Sequence, residues 1–282
     1  MKRYFIILSF LIGACTSQEK TGNGDGLKII TAGGTITEII YELGFGDQII
    51  ATDITSTYPA AMQELPSIGY RNQIKAEGVL ALGPDMILAE EGYLSDDVVS
   101  QLKGTGTAVH FFKKPVKTEE TLELIQKLSE FLDVSSKGES LKKSLIEDLE
   151  ELTEKTAKQE NGKPKVAFVM ARGEEMVFVA GEDTFAESII RMAGAESTGK
   201  GFRDFIPLTP ESLVSMNPDY LLFFDSGIKS MGGLEGLKKI RGIEETTAFQ
   251  KNQILSFDGL YLSGFGPRVG QAALELSKAI GY

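Results

Sequence analysis

Two glutamates occupy matched positions. Glu77 lies in the segment Ile74–Leu88 and Glu211 in Leu208–Leu222, a constant offset of 134 residues. Each stands early in a short helical pattern and is followed by a Pro-Asp turn, Pro84-Asp85 or Pro218-Asp219, and an apolar run. A carboxylate in the first turn of a helix is favoured by the macrodipole. Other reactive side chains are scarce: the 282-residue chain holds one Cys, Cys15, one His, His110, and no Trp. One thiol excludes an internal disulfide and a thiolate zinc cluster, and one imidazole excludes the multi-histidine sites usual for zinc or manganese capture. His110 sits in the apolar run Ala108–Phe112 and reads as a packed residue of a strand buried in the first lobe. With no Gly-x-Ser-x-Gly elbow, an α/β-hydrolase reading has no nucleophile. Gly33-Gly34 follows a strand pattern, but no Gly-x-Gly-x-x-Gly or P-loop accompanies it. A net charge of −11 argues against binding to nucleic-acid backbones.

Several elements must position these groups. Residues 1–14 read as an export signal: Lys2-Arg3, an apolar stretch Tyr4–Ile12 too short to span a bilayer, then Gly13-Ala14. Leu11-Ile12-Gly13-Ala14-Cys15 resembles the bacterial lipobox, which makes Cys15 a lipidated N-terminus. Residues 15–26, polar and rich in small residues, form the tether. From Leu27 short apolar runs alternate with helix-period segments, the pattern of an α/β fold. Lys28–Ala32, Gln48–Thr52, Met86–Ala89 and Ala108–Phe112 read as strands, and Thr35–Leu43 as a helix. Two helical patterns follow, Thr118–Leu132 and Ser136–Lys158. The second carries a stripe of Leu141, Leu145, Ile146, Leu149 and Leu152 and is about 30 Å long. Strand patterns resume at Val166–Ala171, Met176–Ala180, Tyr220–Phe224 and Gln253–Phe257. The repeat makes the second set a copy of the first. The expected organisation is a lobe at 27–115, a helical linker with a spine helix at 116–163, and a lobe at 164–282.

An exported lipoprotein with two α/β lobes joined by one long helix resembles the substrate-binding proteins of bacterial importers for iron complexes, haem and cobalamin, the class III periplasmic binding proteins. The segments Ala32–Ile40, Thr55–Pro59, Pro66–Ile74 and Gly259–Arg268 resemble the haem-binding subgroup. The resemblance implies a monomeric, non-enzymatic receptor that captures haem b between Rossmann-like lobes. It would hand this cargo to a permease dimer driven by its ATPase, with the receptor anchored to a membrane by lipid on the exported side. It implies Tyr70 as the axial ligand of the haem iron, since a phenolate oxygen suits hard ferric iron. A free phenol has a pKa of about 10, so ligation needs the metal charge or a nearby cation. Arg71 is that cation here, although the family arginine stands two residues on, where this chain has Asn72. The haem propionates call for basic partners, Arg268 first and Arg172 second. Tyr58, Tyr261 and Phe265 become aromatic walls, and Glu77 and Glu211 dock to the permease. Met170, Met176 and Met231 read as core filler, leaving a five-coordinate iron. A ferric-siderophore or cobalamin receptor is the alternative.

Overall fold

The structure, a computed structural model, describes residues 26–157 and 162–281. Cys15, the export signal and the tether up to residue 25 lie outside the described residues. The first part contains β1 (Ile29–Ala32), α1 (Gly34–Ile40), β2 (Ile49–Thr52), α2 (Ala76–Ala81), β3 (Met86–Glu90), α3 (Asp96–Gly104) and β4 (Ala108–Phe112). Two helices follow, α4 (Thr118–Phe131) and α5 (Ser135–Ala157). The second part runs β5 (Lys165–Ala171), β6 (Val177–Ala180), α6 (Phe185–Met192), β7 (Glu196–Ser197), β8 (Phe205–Pro207), α7 (Pro210–Met216), β9 (Tyr220–Phe224) and α8 (Asp225–Ser230). It closes with α9 (Thr247–Gln250), β10 (Ile254–Phe257), α10 (Gly259–Ser263) and α11 (Val269–Ala279).

The first sheet is all parallel, in the order β2-β1-β3-β4. The second has the order β10-β9-β5-β6-β8, with β7 beside β5. There β10, β9 and β5 are parallel, whereas β6 runs antiparallel to both its neighbours, β5 and β8. The five residues between β5 and β6 cannot make the long crossover that a parallel pair requires, so the chain folds back as a hairpin.

The repeat has a local cause. A carboxylate oxygen of Asp85 accepts from the Lys28 N–H at 2.8 Å, and one of Asp219 accepts from the Lys165 N–H at 2.8 Å. Each aspartate N–H in turn donates to the carbonyl of the same lysine, at 2.9 and 2.8 Å. Pro-Asp therefore clamps the entry of one strand to the entry of its neighbour, once in each lobe.

Alternation along the strands buries both faces of each sheet. Ile29, Leu88, Phe168 and Leu222 point into one core shared by both lobes, together with Leu145 and Leu152 of α5. Ile30 and Ile87 pack with Val79, Val98 and Leu102 under α2 and α3. Ala167, Val169, Leu221 and Phe223 pack with Leu213 under α7. Because one core crosses from lobe to lobe, α5 is a packed wall as well as a connector. It is 23 residues, about 35 Å, long. Gly138 permits its close approach to α4, where a Cβ would lie 2.1 Å from Ser129 Oγ.

Three expectations are corrected. Ile146 does not join the buried stripe and is exposed, because α5 is covered on one side only. His110 is half-buried, since β4 is an edge strand; its ring packs 4.6 Å from that of Phe131 at the end of α4. The first helix keeps α geometry only to Ile40 and widens to a π turn over Tyr41–Phe45, where Gly44 has φ +87°.

Candidate functional site

In a parallel α/β sheet the loops leaving the carboxyl ends of the strands gather at one edge, and ligands bind there. In the first lobe the exit of β2 brings Asp53, which is buried. Its carboxylate accepts from Gly33 N–H and Ser56 Oγ at 2.8 Å each, and from Thr55 N–H and Tyr93 OH at 2.9 Å each. The Thr55 hydroxyl lies 2.6 Å from the Tyr93 oxygen. Burial, and then the Asp53 charge, hold the Tyr93 phenol far above its ordinary pKa, so it stays a neutral donor. Gly33 can meet Asp53 because it adopts φ +111°, and a Cβ there would fall 2.4 Å from the Glu90 carboxyl carbon. Glu90 closes β3, is buried and has its pKa raised by desolvation, with Lys114 opposing.

Tyr70 stands above this network, half-buried, in the segment that runs beside the exit of β2. Ile68 N–H donates to Thr52 O at 2.8 Å and Ile54 N–H to Gly69 O at 3.1 Å, which ties the tyrosine segment to the sheet. The Tyr70 ring meets Tyr93 edge-on with centroids 6.4 Å apart. Arg71 takes φ +44°, a left-handed conformation costing a non-glycine residue roughly 1 kcal/mol. That conformation folds its guanidinium back over both rings, 5.6 Å from the Tyr70 centroid and 5.1 Å from that of Tyr93. Tyr70 and Arg71 are thus brought together, with Tyr93 as an unforeseen third member.

Arg268 precedes α11 and reaches the first lobe. Its Nε and Nη2 donate to the two carboxylate oxygens of Glu38 at 2.9 and 3.0 Å, a bidentate pair between α1 and the second lobe. The guanidinium lies 3.4 Å from the Tyr58 centroid and 4.9 Å from that of Tyr261. The structure therefore corrects the expectation that this arginine stands ready for a ligand carboxylate: Glu38 fills that place. Tyr58 and Tyr261 are likewise occupied with the guanidinium. Burial, and then the Glu275 charge, push the Tyr261 phenol up. Phe265 is corrected too, being wholly buried in the shared core, so its ring is core and not an open wall. Further bonds stitch the same seam. Thr35 Oγ1 donates to Gly264 O at 2.6 Å and Thr121 Oγ1 to Phe265 O at 2.7 Å. Gly34 lies so close to Leu260 that a Cβ would fall 2.6 Å from its Cδ1. The α1 and α10 ends of the two lobes thus face each other.

Arg172 is exposed on the turn between β5 and β6, at the same end of the second sheet as α10. Glu77 and Glu211 are both exposed in the first turns of α2 and α7. Met231 is buried and Met170 packs on the shared core, as expected, whereas Met176 is largely exposed.

A separate groove of about 1270 Å³ runs between the start of α4 and α6 with its following loops. It includes none of Tyr58, Tyr70, Arg71 or Arg172. Six of its charged side chains are paired: Arg203 with Asp183 at 3.2 Å, Arg191 with Glu187 at 3.4 Å, and Lys200 with Glu196. Among the described residues no cluster of three or more His, Cys, Asp or Glu could hold a bare metal ion, and no helix is long and apolar enough to cross a membrane.

Asp53, Tyr93 and Glu38 were absent from the expected site. Glu38 had a signal, a single carboxylate inside the apolar helix Ile36–Ile40, and Asp53 another, a charge directly after a buried strand. Tyr93 had none.

Comparison with known proteins adds independent findings. The family model described as periplasmic binding protein matches residues 29–259. The chain is 26% identical to the uncharacterized ABC transporter substrate-binding lipoprotein YvrC of Bacillus subtilis strain 168, over 95% of this chain and 84% of that one. It is 25% identical to the vitamin B12-binding protein of Vibrio parahaemolyticus, over 88% of this chain and 87% of that one. Among solved structures, the periplasmic heme-binding protein RhuT from Roseiflexus sp. RS-1, in apo form, superposes with a TM-score of 0.86 at 32% identity, covering 90% of this chain and 97% of that one.

Proposed function

Since the chain belongs to the periplasmic binding protein family, as the substrate-binding component of an ABC transporter, we propose that its cargo is haem, taken up between the lobes and delivered to the permease. The observation that carries this reading is the Tyr70–Arg71 arrangement. A half-buried phenol stands at the strand exits with a guanidinium 5.6 Å from its ring centre. The guanidinium packs on the ring as a cation–π contact and orients the phenol, whose oxygen is a hard ligand suited to ferric iron. Tyr70 is the axial ligand, and Tyr93, held by Asp53, supports the ring from the side. The similarity to a heme-binding protein over nearly its whole length adds support. Arg172 is the cation free to meet a propionate, since Arg268 is engaged by Glu38.

In this reading the protein performs no chemistry. It binds, orients and shields, and releases its cargo when docked. Glu77 and Glu211, at equivalent places on the two lobes, meet the permease. The lobes are the expected units, 27–115 and 164–282, joined through the linker 116–163. Residues 1–14 direct export, Cys15 carries the lipid that holds the receptor to the membrane, and 15–26 tethers a monomer to it.

Titration of the mature protein with hemin tests the assignment. A stoichiometric complex with the charge-transfer band of ferric iron on a phenolate is expected, and Tyr70→Phe should abolish that band. An unchanged spectrum in Tyr70→Phe would remove Tyr70 as ligand. A cobalamin receptor is the second reading, favoured by the similarity to vitamin B12-binding proteins. Cyanocobalamin titrated in parallel decides between the two.

A further inference from the structure

The three most exposed large apolar side chains among the described residues are Ile54 at 59%, Leu234 at 55% and Met176 at 49%. All three lie on segments that leave the carboxyl ends of strands. Ile54 follows β2, Met176 ends the turn after β5, and Leu234 lies four residues beyond α8, which follows β9. Apolar side chains exposed singly are ordinary, but these three share the strand-exit edges at which ligands of such sheets bind.

The second-lobe segments are firmly held, so their exposure is not fraying. Arg172 N–H donates to Met176 O at 2.8 Å, closing the turn. Gly173 N–H donates to Ser230 Oγ at 2.9 Å, and that hydroxyl donates to Gly227 O at 2.7 Å, pinning the turn to α8. Glu174 pairs with Lys239 at 2.7 Å, on the same short helical segment, Leu234–Lys239, that begins with Leu234. The β5–β6 register pairs Ala171 with Val177, so the next pair is Arg172 with Met176. Cross-strand partners project on one side of the ribbon. A cation and a thioether thus stand side by side on a braced turn. On the first lobe Ile54 donates its N–H to Gly69 O, directly beside Tyr70.

We propose that Met176 and Leu234 of the second lobe and Ile54 of the first are apolar jaws that grip the flat faces of the haem cargo, with Arg172 beside Met176 meeting its carboxylate edge. This inference rests on the haem reading above and adds the residues that hold the macrocycle to those that hold the iron. Thioether and aliphatic surfaces suit a broad, polarisable ring, and the adjacent guanidinium suits its acidic edge.

Hemin affinity of Met176→Ser, Leu234→Ser and Met176→Leu tests it, with Ile146→Ser on the exposed side of α5 as control. Each serine variant in the jaws should bind about tenfold more weakly, the effect of removing about 50 Å² of buried apolar surface. Met176→Leu should stay within about twofold of the parent, and Ile146→Ser should bind like it. If the parent binds hemin and both serine variants match its affinity, the jaws are refuted while the haem reading stands. If Met176→Leu loses as much as Met176→Ser and the spectrum shifts, the sulfur is an iron ligand and the apolar-grip assignment is overturned. If the parent binds no hemin, the haem reading falls first and the jaws with it.

Discussion

Glu38→Ala removes one half of the buried pair that joins the lobes. The Glu38 side chain is 3% exposed and that of Arg268 21%. The variant therefore leaves a guanidinium largely out of water with two donors unmatched. Breaking a buried pair from one side costs about 3–5 kcal/mol in general. Two features reduce that figure here. Water reaches the open fifth of Arg268, and the faces of Tyr58 and Tyr261 keep about 0.5–2 kcal/mol of cation–π attraction. The expected loss is about 2–3 kcal/mol, or a fall in Tm of about 5–10 °C for a chain of this size. Thermal and urea unfolding of Glu38→Ala, Arg268→Ala and the double variant measures it. The double variant should be less destabilised than the two single losses added together, by about 2 kcal/mol of coupling. Coupling under about 0.5 kcal/mol would show that the two side chains act independently and that the seam does not depend on their pairing.

Other predictions concern the first lobe and the docking face. Burial raises the Glu90 pKa in the fold, so the folded state binds that proton more tightly than the unfolded chain does. The group's burden is therefore absent below the unfolded pKa, grows as pH rises from there toward the higher folded pKa, and levels off above it. Glu90→Gln should stabilise the protein at pH 7 by on the order of 1 kcal/mol, and the advantage over the parent should vanish near pH 4 in paired urea melts. Tyr93→Phe takes one donor from buried Asp53 while sparing its other partners, and should cost about 1–2 kcal/mol by the same assay. Glu77→Lys with Glu211→Lys should slow hemin transfer to permease-containing proteoliposomes about tenfold at low salt, leaving hemin affinity unchanged. Equal transfer rates would dismiss the docking role.

The lobes were legible because their cause is local. Apolar runs ending at Pro-Asp announce a strand clamped at its entry, and Asp85 and Asp219 form that clamp with the same atoms in each copy. The spine was legible from period alone, and α5 spans Ser135–Ala157 against the expected Ser136–Lys158. Strands β7 and β8 were not foreseen, being two and three residues long and dependent on their neighbours for pairing. In the candidate site, sequence adjacency presented Tyr70 with Arg71, but nothing local could bring Tyr93 beneath them. Phe265 and Arg268 lie in one loop three residues apart, and only packing decides that the ring turns into the core while the guanidinium crosses to Glu38. An arginine motif specifies a cation; its partner is set by the lobe opposite.

The two halves share the Pro-Asp clamp and yet differ where a ligand would meet them, and that difference has a topological origin. In the first lobe every strand is parallel, so all four exits open at one edge, and the loops are free to carry Asp53, Tyr70 and Tyr93. In the second, the chain reverses after β5 into an antiparallel pair, and the exit becomes a short turn braced by Ser230 and Lys239. A long loop can fold a phenol and a guanidinium over one another; a five-residue turn has no room for such a network and can only hold a side chain outward. On the proposed haem reading, oxygen ligation would come from the first lobe and surface contact from the second, a division of labour that matches these connections. Lengthening the 172–176 turn by two glycines should therefore weaken hemin binding without altering the phenolate band, because it frees the apolar grip and leaves the Tyr70 oxygen where it was. Loss of the band in that variant would mean that the two lobes do not contribute separately.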